Sequence, residues 1–414
     1  MKKEYFIFQL KQFFLNPKNV GLYALSLVLA LYFGLVSVPH RQIIEKVDVY
    51  SIRKEYKDDK AFLDVALKEI KHANAGNRYF NPSQGALDAA KTYPTIIKYD
   101  AQRLNALRKN NWRVYTASTS KWYEKMDTLI FMKDNKNYYY PVQYYQNGNY
   151  REDGHFGYQR TRYFYKGLLA AKTPINKNIL EEKTFLQVLG ISLSGWTTLL
   201  LILIVIFFSV DIITRDNKNK TVLNNIPLSK NTIVWLKTAV VEIGILINFS
   251  MMFLISLLCI APKTGLGSLN LTTTFYMGRL YFKVPFIWVS LGKYYLEFII
   301  FAVLITFIFI RLTILLSILI NNEFVAGILA SLIAISGKAF YFYLGMGYVY
   351  PFLKKLPMTY FTIGDSLTGN LSYLMDSPGW GFTDGLISLL SFAIVIELCL
   401  FLFNKNRNIS LIKG

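Results

Sequence analysis

Six apolar runs decide most of what this chain can become. They cover residues 20–38, 189–210, 233–261, 294–320, 324–344 and 386–403. Hydrocarbon about 30 Å thick takes roughly 20 helical residues to cross, and only a structure that bonds its own backbone polar groups is stable there. The runs therefore predict an α-helical polytopic membrane protein with six transmembrane helices. The third and fourth are longer than one crossing needs, which predicts tilt or a short extension. A further half-apolar stretch, TFYMGRLYFKVPFIW at 274–288, is interrupted by Arg279, Lys283 and Pro285. It reads as interfacial or re-entrant, and would make a seventh segment.

Composition agrees with that class. A chain of 414 residues that is 53% hydrophobic, with a mean hydropathy of +0.29, is too apolar for an ordinary water-soluble protein. The net charge of +20 is spread among loops between the apolar runs, so it reads as membrane orientation, and no nucleic-acid partner is expected. Cys259 and Cys399 both fall inside apolar runs, which leaves neither a disulfide framework nor a CxxC site. With only His40, His72 and His155, and no HExxH, no metal site is expected. The first run follows a basic N-terminus but is too long for a signal peptide and ends VSVPH without a small-residue cleavage site; it reads as an uncleaved anchor.

Lysine and arginine in the short loops set the orientation. Lys2, Lys3, Lys11 and Lys18 precede the first run, Arg215, Lys218, Lys220 and Lys230 fill the loop at 211–232, and Lys405, Arg407 and Lys413 lie in the tail at 404–414. An even number of crossings puts all three in the cytoplasm and predicts a multi-pass protein of the cell membrane with both termini inside. Segment 1–19 reads as an interfacial helix, and 39–184 as an extracytoplasmic domain between the first two crossings, large enough for its own core. In its first half, Phe62, Val65, Ala66, Glu69 and Ile70 keep a helical rhythm, and RLNALRKNNW looks similar. From Thr128 onward, TLIFM and NYYYPVQYYQNGNY look closer to strand or turn. The expectation is a mixed or mainly helical domain, with outer loops at 262–293 and 345–385.

The cytoplasmic loop DNKNKTVLNNIPLSKNTIVWLK needs water for its polar residues and cover for Val222, Leu223, Ile226, Leu228, Ile233 and Val234. A short amphipathic helix able to dock into a groove on another protein meets both needs, as does a plain solvated connector. Pro227 limits such a helix, and Ser229 is placed to cap the next one.

Asp216, Thr221, Leu223, Pro227, Ser229, Lys230 and Lys237 together resemble the cytoplasmic loop of ABC-2 type transporter permeases. Lys220 stands where that family usually has glycine, and the spacing from Thr221 to Pro227 is shorter than the family's. The N-terminal YFIFQLKQFFLNPKN, with Phe6, Leu10, Phe13 and Phe14 on one side, resembles the family's inner-leaflet amphipathic helix. LPMTYFTIGDSLTGN, with Pro357, Gly364 and Gly369, resembles its re-entrant hairpin before the last helix. The resemblance implies a membrane subunit that pairs with a second permease copy or a homologous permease. It also implies that residues 216–237, Ile226 among them, couple it to a separate ATP-binding cassette ATPase subunit.

No GxxxxGK[ST] is present, and Gly337 and Lys338 lie in an apolar run without the first glycine. The chain is therefore expected to be no enzyme and to bind no cofactor itself, with ATP and magnesium held by the partner subunit. Exported peptides, lipids or amphipathic drugs are the cargo the resemblance implies.

Ionisable residues inside apolar runs each cost about 2.5–3.5 kcal/mol on insertion scales unless they find a partner or water. Glu242, Arg311 and Glu397 fall at similar heights on the third, fourth and sixth runs, which predicts a bridge from Arg311 to one or both acids. Lys338 and Glu297 form a second expected pair. Such pairs clamp helices or touch cargo. The tyrosine-rich 137–166, interleaved with Arg151, Arg160 and Arg162, reads as a domain core or as a stacking platform for a ligand. Two other functional classes stay open. A membrane enzyme on lipid-linked substrates would need clustered acids or a histidine at the outer face, where Asp365 and Asp384 stand isolated in the sequence; a sensor or scaffold would bind its ligand in the outer domain.

Overall fold

The apolar runs become helices, and their ends are set by local capping chemistry. The computed structural model describes residues 1–75, 81–132, 138–145, 149–215, 227–278, 286–342, 350–375 and 377–405. Helix α1 (Lys2–Phe14) stops at Leu15, and Asn16 then caps α2 (Pro17–Tyr32) by accepting from the Lys18 N–H at 3.1 Å. Proline at the first helical position supplies no N–H where none is needed. A π-helical turn, Phe33–Ser37, ends this span. The expected apolar side of α1 is used: Phe13 is buried, and Phe6, Leu10 and Phe14 pack against the same core.

The second apolar run is corrected from one continuous helix to a bent pair. Helix α7 (Phe185–Ser192) and helix α8 (Trp196–Ser209) lie on either side of a 59° break. The break is at Gly195, whose φ of 61° and ψ of −130° belong to glycine alone. Helix α9 (Lys230–Thr264) begins three residues before the apolar run, where the Ser229 hydroxyl accepts from the Thr232 N–H at 3.2 Å, the expected cap. Helix α10 (Leu291–Ile320) is the centre of the bundle: 61% of its most apolar stretch is buried, against 17–28% in the other long helices. Helix α11 (Glu323–Ser336) presents Ala326, Ala330 and Ala334, all at most 1% exposed, at four-residue spacing toward α8 and α10. Small residues there let backbones approach where lipid offers no hydrophobic drive to association. Helix α12 (Phe382–Lys405) completes the bundle. By length and composition, five helices among the described residues are fit to cross a membrane, and six if the bent pair counts as one.

Between the first two spans stand four long helices, α3 (Val49–Asn74), α4 (Gln84–Arg108), α5 (Trp112–Asp127) and α6 (Tyr150–Ala170), each packed on the next. Caps from Asp48, Ser83, Asn111 and Asn149 open them. Of the strand or turn expected in the second half, the described residues show turn: TLIFM forms a π-helical turn, Val142–Tyr144 a 3-10 turn, and Tyr150 opens α6. Tyr140 and Tyr144 are core, their hydroxyls donating to Asp127 and Glu45, and Tyr158 and Tyr165 are buried in the same cluster. On α3, Ala66 is buried, but Phe62 and Val65 are largely exposed.

The described ends of the stretch at 274–288 are extended strand. Strands β1 (Thr272–Tyr276) and β2 (Phe286–Ser290) pair antiparallel, Thr274 opposite Trp288, and pack on α6, where Gly167 leaves room for Thr272 and Trp288. Before the last span, the chain breaks into short turns: Pro351–Lys355, Pro357–Phe361, Ile363–Leu367 and Asn370–Leu374. Pro357 opens the second turn, and Gly364 lies so close to the Leu193 carbonyl that a Cβ would meet it at 2.4 Å. Gly369, at φ 75°, sits against the backbone of Tyr276, which donates its N–H to the Thr368 carbonyl at 3.0 Å. The expected broken helix is therefore wedged between the bend of the second span and the hairpin.

Candidate functional site

Where the four-helix domain meets the bundle, a cavity of about 310 Å³ opens, lined by both signs of charge. Its acids are Glu45, Asp153, Glu182 and Asp365, and its bases Arg160 and Lys338. Glu45 and Glu182 come from the segments entering and leaving the domain, Asp153 and Arg160 from α6, and Lys338 and Asp365 from the bundle side. Apart from Asp153 and Arg160, about two turns apart on α6, these groups are distant in sequence, so the fold assembles them.

Most of these charges are already engaged. Glu45 accepts hydrogen bonds from the Tyr123 and Tyr144 hydroxyls and, at 3.1 Å, from Thr161 Oγ1. Burial pushes its carboxyl up to about 7 despite those donors. Asp153 accepts from Tyr373 Oη at 2.6 Å. Asp365 sits at the bend, where one oxygen takes the Gly195 N–H at 3.1 Å and stands 3.7 Å from Lys338 Nζ. A carboxylate suits that place, because it satisfies an otherwise orphaned donor at the N-terminus of α8. Lys338 Nζ also lies 5.6 Å above the Trp196 ring. Glu182 holds a left-handed backbone, φ 50°, with its carbonyl bound by Arg41 Nη2 at 2.8 Å.

A second cavity, about 230 Å³, shares the wall formed by Phe156 and Tyr373, whose rings stack at 4.0 Å. Its lining is aromatic, with Tyr276 and Phe286 from the hairpin and Phe131 and His155 from the domain. His155 stacks on Phe131 at 3.8 Å and bonds through Nδ1 to the buried Asp127 at 2.8 Å. A carboxylate accepts only, so Nδ1 carries a proton in this pair. Asp127 also receives Tyr140 Oη at 2.6 Å.

At the opposite end of the bundle, residues 207–214 are tied to three other spans. Asn16 Nδ2 donates to Asp211 at 2.9 Å, and Lys18 Nζ reaches both Asp211 and the Phe207 carbonyl. Lys237 Nζ, fully buried, donates to the Ile212 carbonyl at 2.9 Å, and Thr214 Oγ1 to Glu323 at 2.8 Å. The end of α8 is thereby fastened to α2, α9 and α11, just before the loop read from sequence as a coupling element. Of that loop, Asp216, Thr221, Leu223 and Ile226 lie outside the described residues. Pro227 is exposed, Ser229 is the cap, and Lys230 begins α9. Lys237 is turned inward rather than presented to a partner, because the unsatisfied carbonyl at 212 needs a donor.

Within the bundle, Arg311 engages Glu397 through two hydrogen bonds, donates Nη1 to Thr238 Oγ1 at 3.2 Å, and lies 4.5 Å over the Trp235 ring. Of the two acids expected opposite Arg311, Glu397 is the partner; Glu242 keeps a buried carboxylate oxygen with no hydrogen bond. The expected Lys338–Glu297 pair does not form. Glu297 takes Lys293 at 3.7 Å, one turn back on its own helix, while the broken segment delivers Asp365 to Lys338.

From sequence Asp365 stood isolated, and neither Glu45 nor Glu182 was singled out. The SG dipeptide at 194–195 marked the bend that Asp365 caps; nothing local marked the other two. No family model matches the chain, and neither a curated protein nor a solved structure matches it.

Proposed function

We propose that this chain is the membrane permease subunit of an ATP-driven exporter, moved by a separate ATPase that docks on the loop following residue 215. The observation that carries the reading is the fastening of residues 207–214 to Asn16, Lys18, Lys237 and Glu323. A push on a loop so rooted is passed to the first, third and fifth spans at once, whereas a plain connector has no need of such roots. The lysine and arginine distribution favours placing this end in the cytoplasm and the four-helix domain outside. The mixed-charge cavity then faces the outer leaflet or the medium, where amphipathic cargo would be handed over. A second copy or a homologous permease would complete the translocation path, and ATP with magnesium would be held by the ATPase.

The test is purification of the full chain from its host in mild detergent, beside a variant with Leu223→Asp and Ile226→Asp. An ATPase that comes with the wild type and is lost from the variant supports the coupling loop. Wild-type chain that brings down no ATPase removes the exporter reading.

A further inference from the structure

Arg160 and Glu182 line the same cavity, yet among the described residues neither side chain makes a hydrogen bond or a close ion pair. Arg41 donates to the Glu182 carbonyl, and its charge is felt by the Glu182 carboxylate and by Arg160 without a close ion pair to either. The other charges in the lining are engaged: Glu45 by three hydroxyls, Asp153 by Tyr373, Asp365 and Lys338 by one another. A guanidinium and a carboxylate without a close partner among the described residues thus share a cavity whose other charged groups are engaged. Half-buried charges of opposite sign that fail to meet are costly unless something bridges them.

We propose that this cavity binds a small zwitterion, with its ammonium group at Glu182 and its carboxylate or phosphate at Arg160. The planar guanidinium offers a two-pronged grip on either anion, and the carboxylate matches a charged amine. The volume, about 310 Å³, sits at the small end of ligand cavities, which run from roughly 300 to 1,000 Å³. Room for an apolar part lies across the Phe156–Tyr373 wall, in the aromatic cavity beside His155. Glu182 is presented from a left-handed backbone that side chains other than glycine and asparagine seldom adopt, and Arg41 fixes that backbone from behind. The site needs no ATPase at the other end of the bundle, so its test is independent of the exporter reading.

Two sources carry this chemistry, a free peptide and the headgroup of an aminophospholipid. The full chain is reconstituted in nanodiscs of phosphatidylglycerol, which has no ammonium group, and titrated calorimetrically. The probes are glycyl-phenylalanine, its N-acetyl form, its C-terminal amide, and glycerophosphoethanolamine. A zwitterion at this site binds about tenfold more tightly than either capped dipeptide. Binding of glycyl-phenylalanine assigns the peptide source, and binding of glycerophosphoethanolamine alone assigns the headgroup. Arg160→Gln is expected to erase the advantage over the amide, and Glu182→Gln the advantage over the N-acetyl form. Capped forms that bind the wild type as tightly as the zwitterions, or no binding of either zwitterion at millimolar concentration, overturn the proposal without appeal to any variant.

Discussion

Arg311 on the central helix holds Glu397 on the last helix side-on, with Nη2 2.7 Å from one carboxylate oxygen and Nε bonded to the other. The arginine is 2% exposed and also touches Thr238 and Trp235 of α9, so one guanidinium joins three spans. Two parallel N–H···O bonds fix orientation as well as distance, which lysine does not reproduce.

Removing one member of this pair strands the other. Arg311→Met is expected to destabilise by about 3–5 kcal/mol, since it leaves Glu397 without its counter-ion in an apolar setting. The double variant with Glu397→Leu is expected to recover most of that loss, because replacing both charges removes the need for desolvation. Thermal unfolding of purified chain in one detergent compares the three proteins. Equal destabilisation in the single and double variants would show that the pair does not act as a unit.

Asp211 receives Asn16 and Lys18 from the start of the first span, so Asp211→Ala unties that span from the end of α8. On the proposed exporter reading, the ATPase should still bind, because the loop after residue 215 is unchanged, but nucleotide should no longer move the first span. Spin labels at Leu25→Cys and Leu254→Cys, both exposed on their spans, report the distance after Cys259 and Cys399 are replaced by serine. The expected result is an ATP-dependent change in the parent protein and none in the variant. An unchanged response would remove Asp211 from the coupling route.

The helical bundle was legible because membrane length and apolar content are properties of a run, read without tertiary knowledge. The cap at Ser229 and the apolar side of α1 followed from equally local rules, while height along the helices left Glu242 and Glu397 both open to Arg311. What escaped depended on distant company. Lys338 was matched to Glu297 by height along helices, but Asp365 reached it from a segment whose path was not readable. Tyr140 and Tyr144 carried strand propensity, yet burial beside α5 and bonds to Asp127 and Glu45 hold them in turn and irregular backbone. The cavity drew its charged lining from six separate positions between residues 45 and 365, and no window of sequence contains them together.

Glu45 gives the domain a pH dependence with a defined sign. Its folded carboxyl titrates near 7, above the roughly 4.3 of an unfolded glutamate, so the protonated form is the one the fold favours. Its contribution is fully present below the unfolded value and is lost as pH rises through 7. A rise of this size corresponds to roughly 3 kcal/mol. Asp59 and Asp100, raised to about 7 and about 6 by burial, act in the same direction. Melting temperatures between pH 4.5 and 8 should therefore fall in the wild type and fall less in Glu45→Gln. Parallel curves would place the titration elsewhere.

Gly195 is the hinge point of the broken span, and its backbone is the reason for the break. At φ 61° and ψ −130° a Cβ is strained whatever space surrounds it, and here the nearest atom to such a Cβ is Lys338 Nζ at 3.6 Å, an ordinary contact. The cost of Gly195→Ala is thus backbone strain alone, about 1–3 kcal/mol. It is felt at the cavity as well, because the Gly195 N–H is held by Asp365. Relaxing the bend would carry that donor away and leave Asp365 to Lys338 and Asn370. Asp365→Asn keeps the shape and removes the charge at the start of α8, so it should cost less, on the order of 0.3–1 kcal/mol. Thermal unfolding of both variants ranks them, with Gly195→Ala expected to be the less stable. The reverse order would mean that the Asp365 charge, and not the glycine backbone, keeps the second span broken.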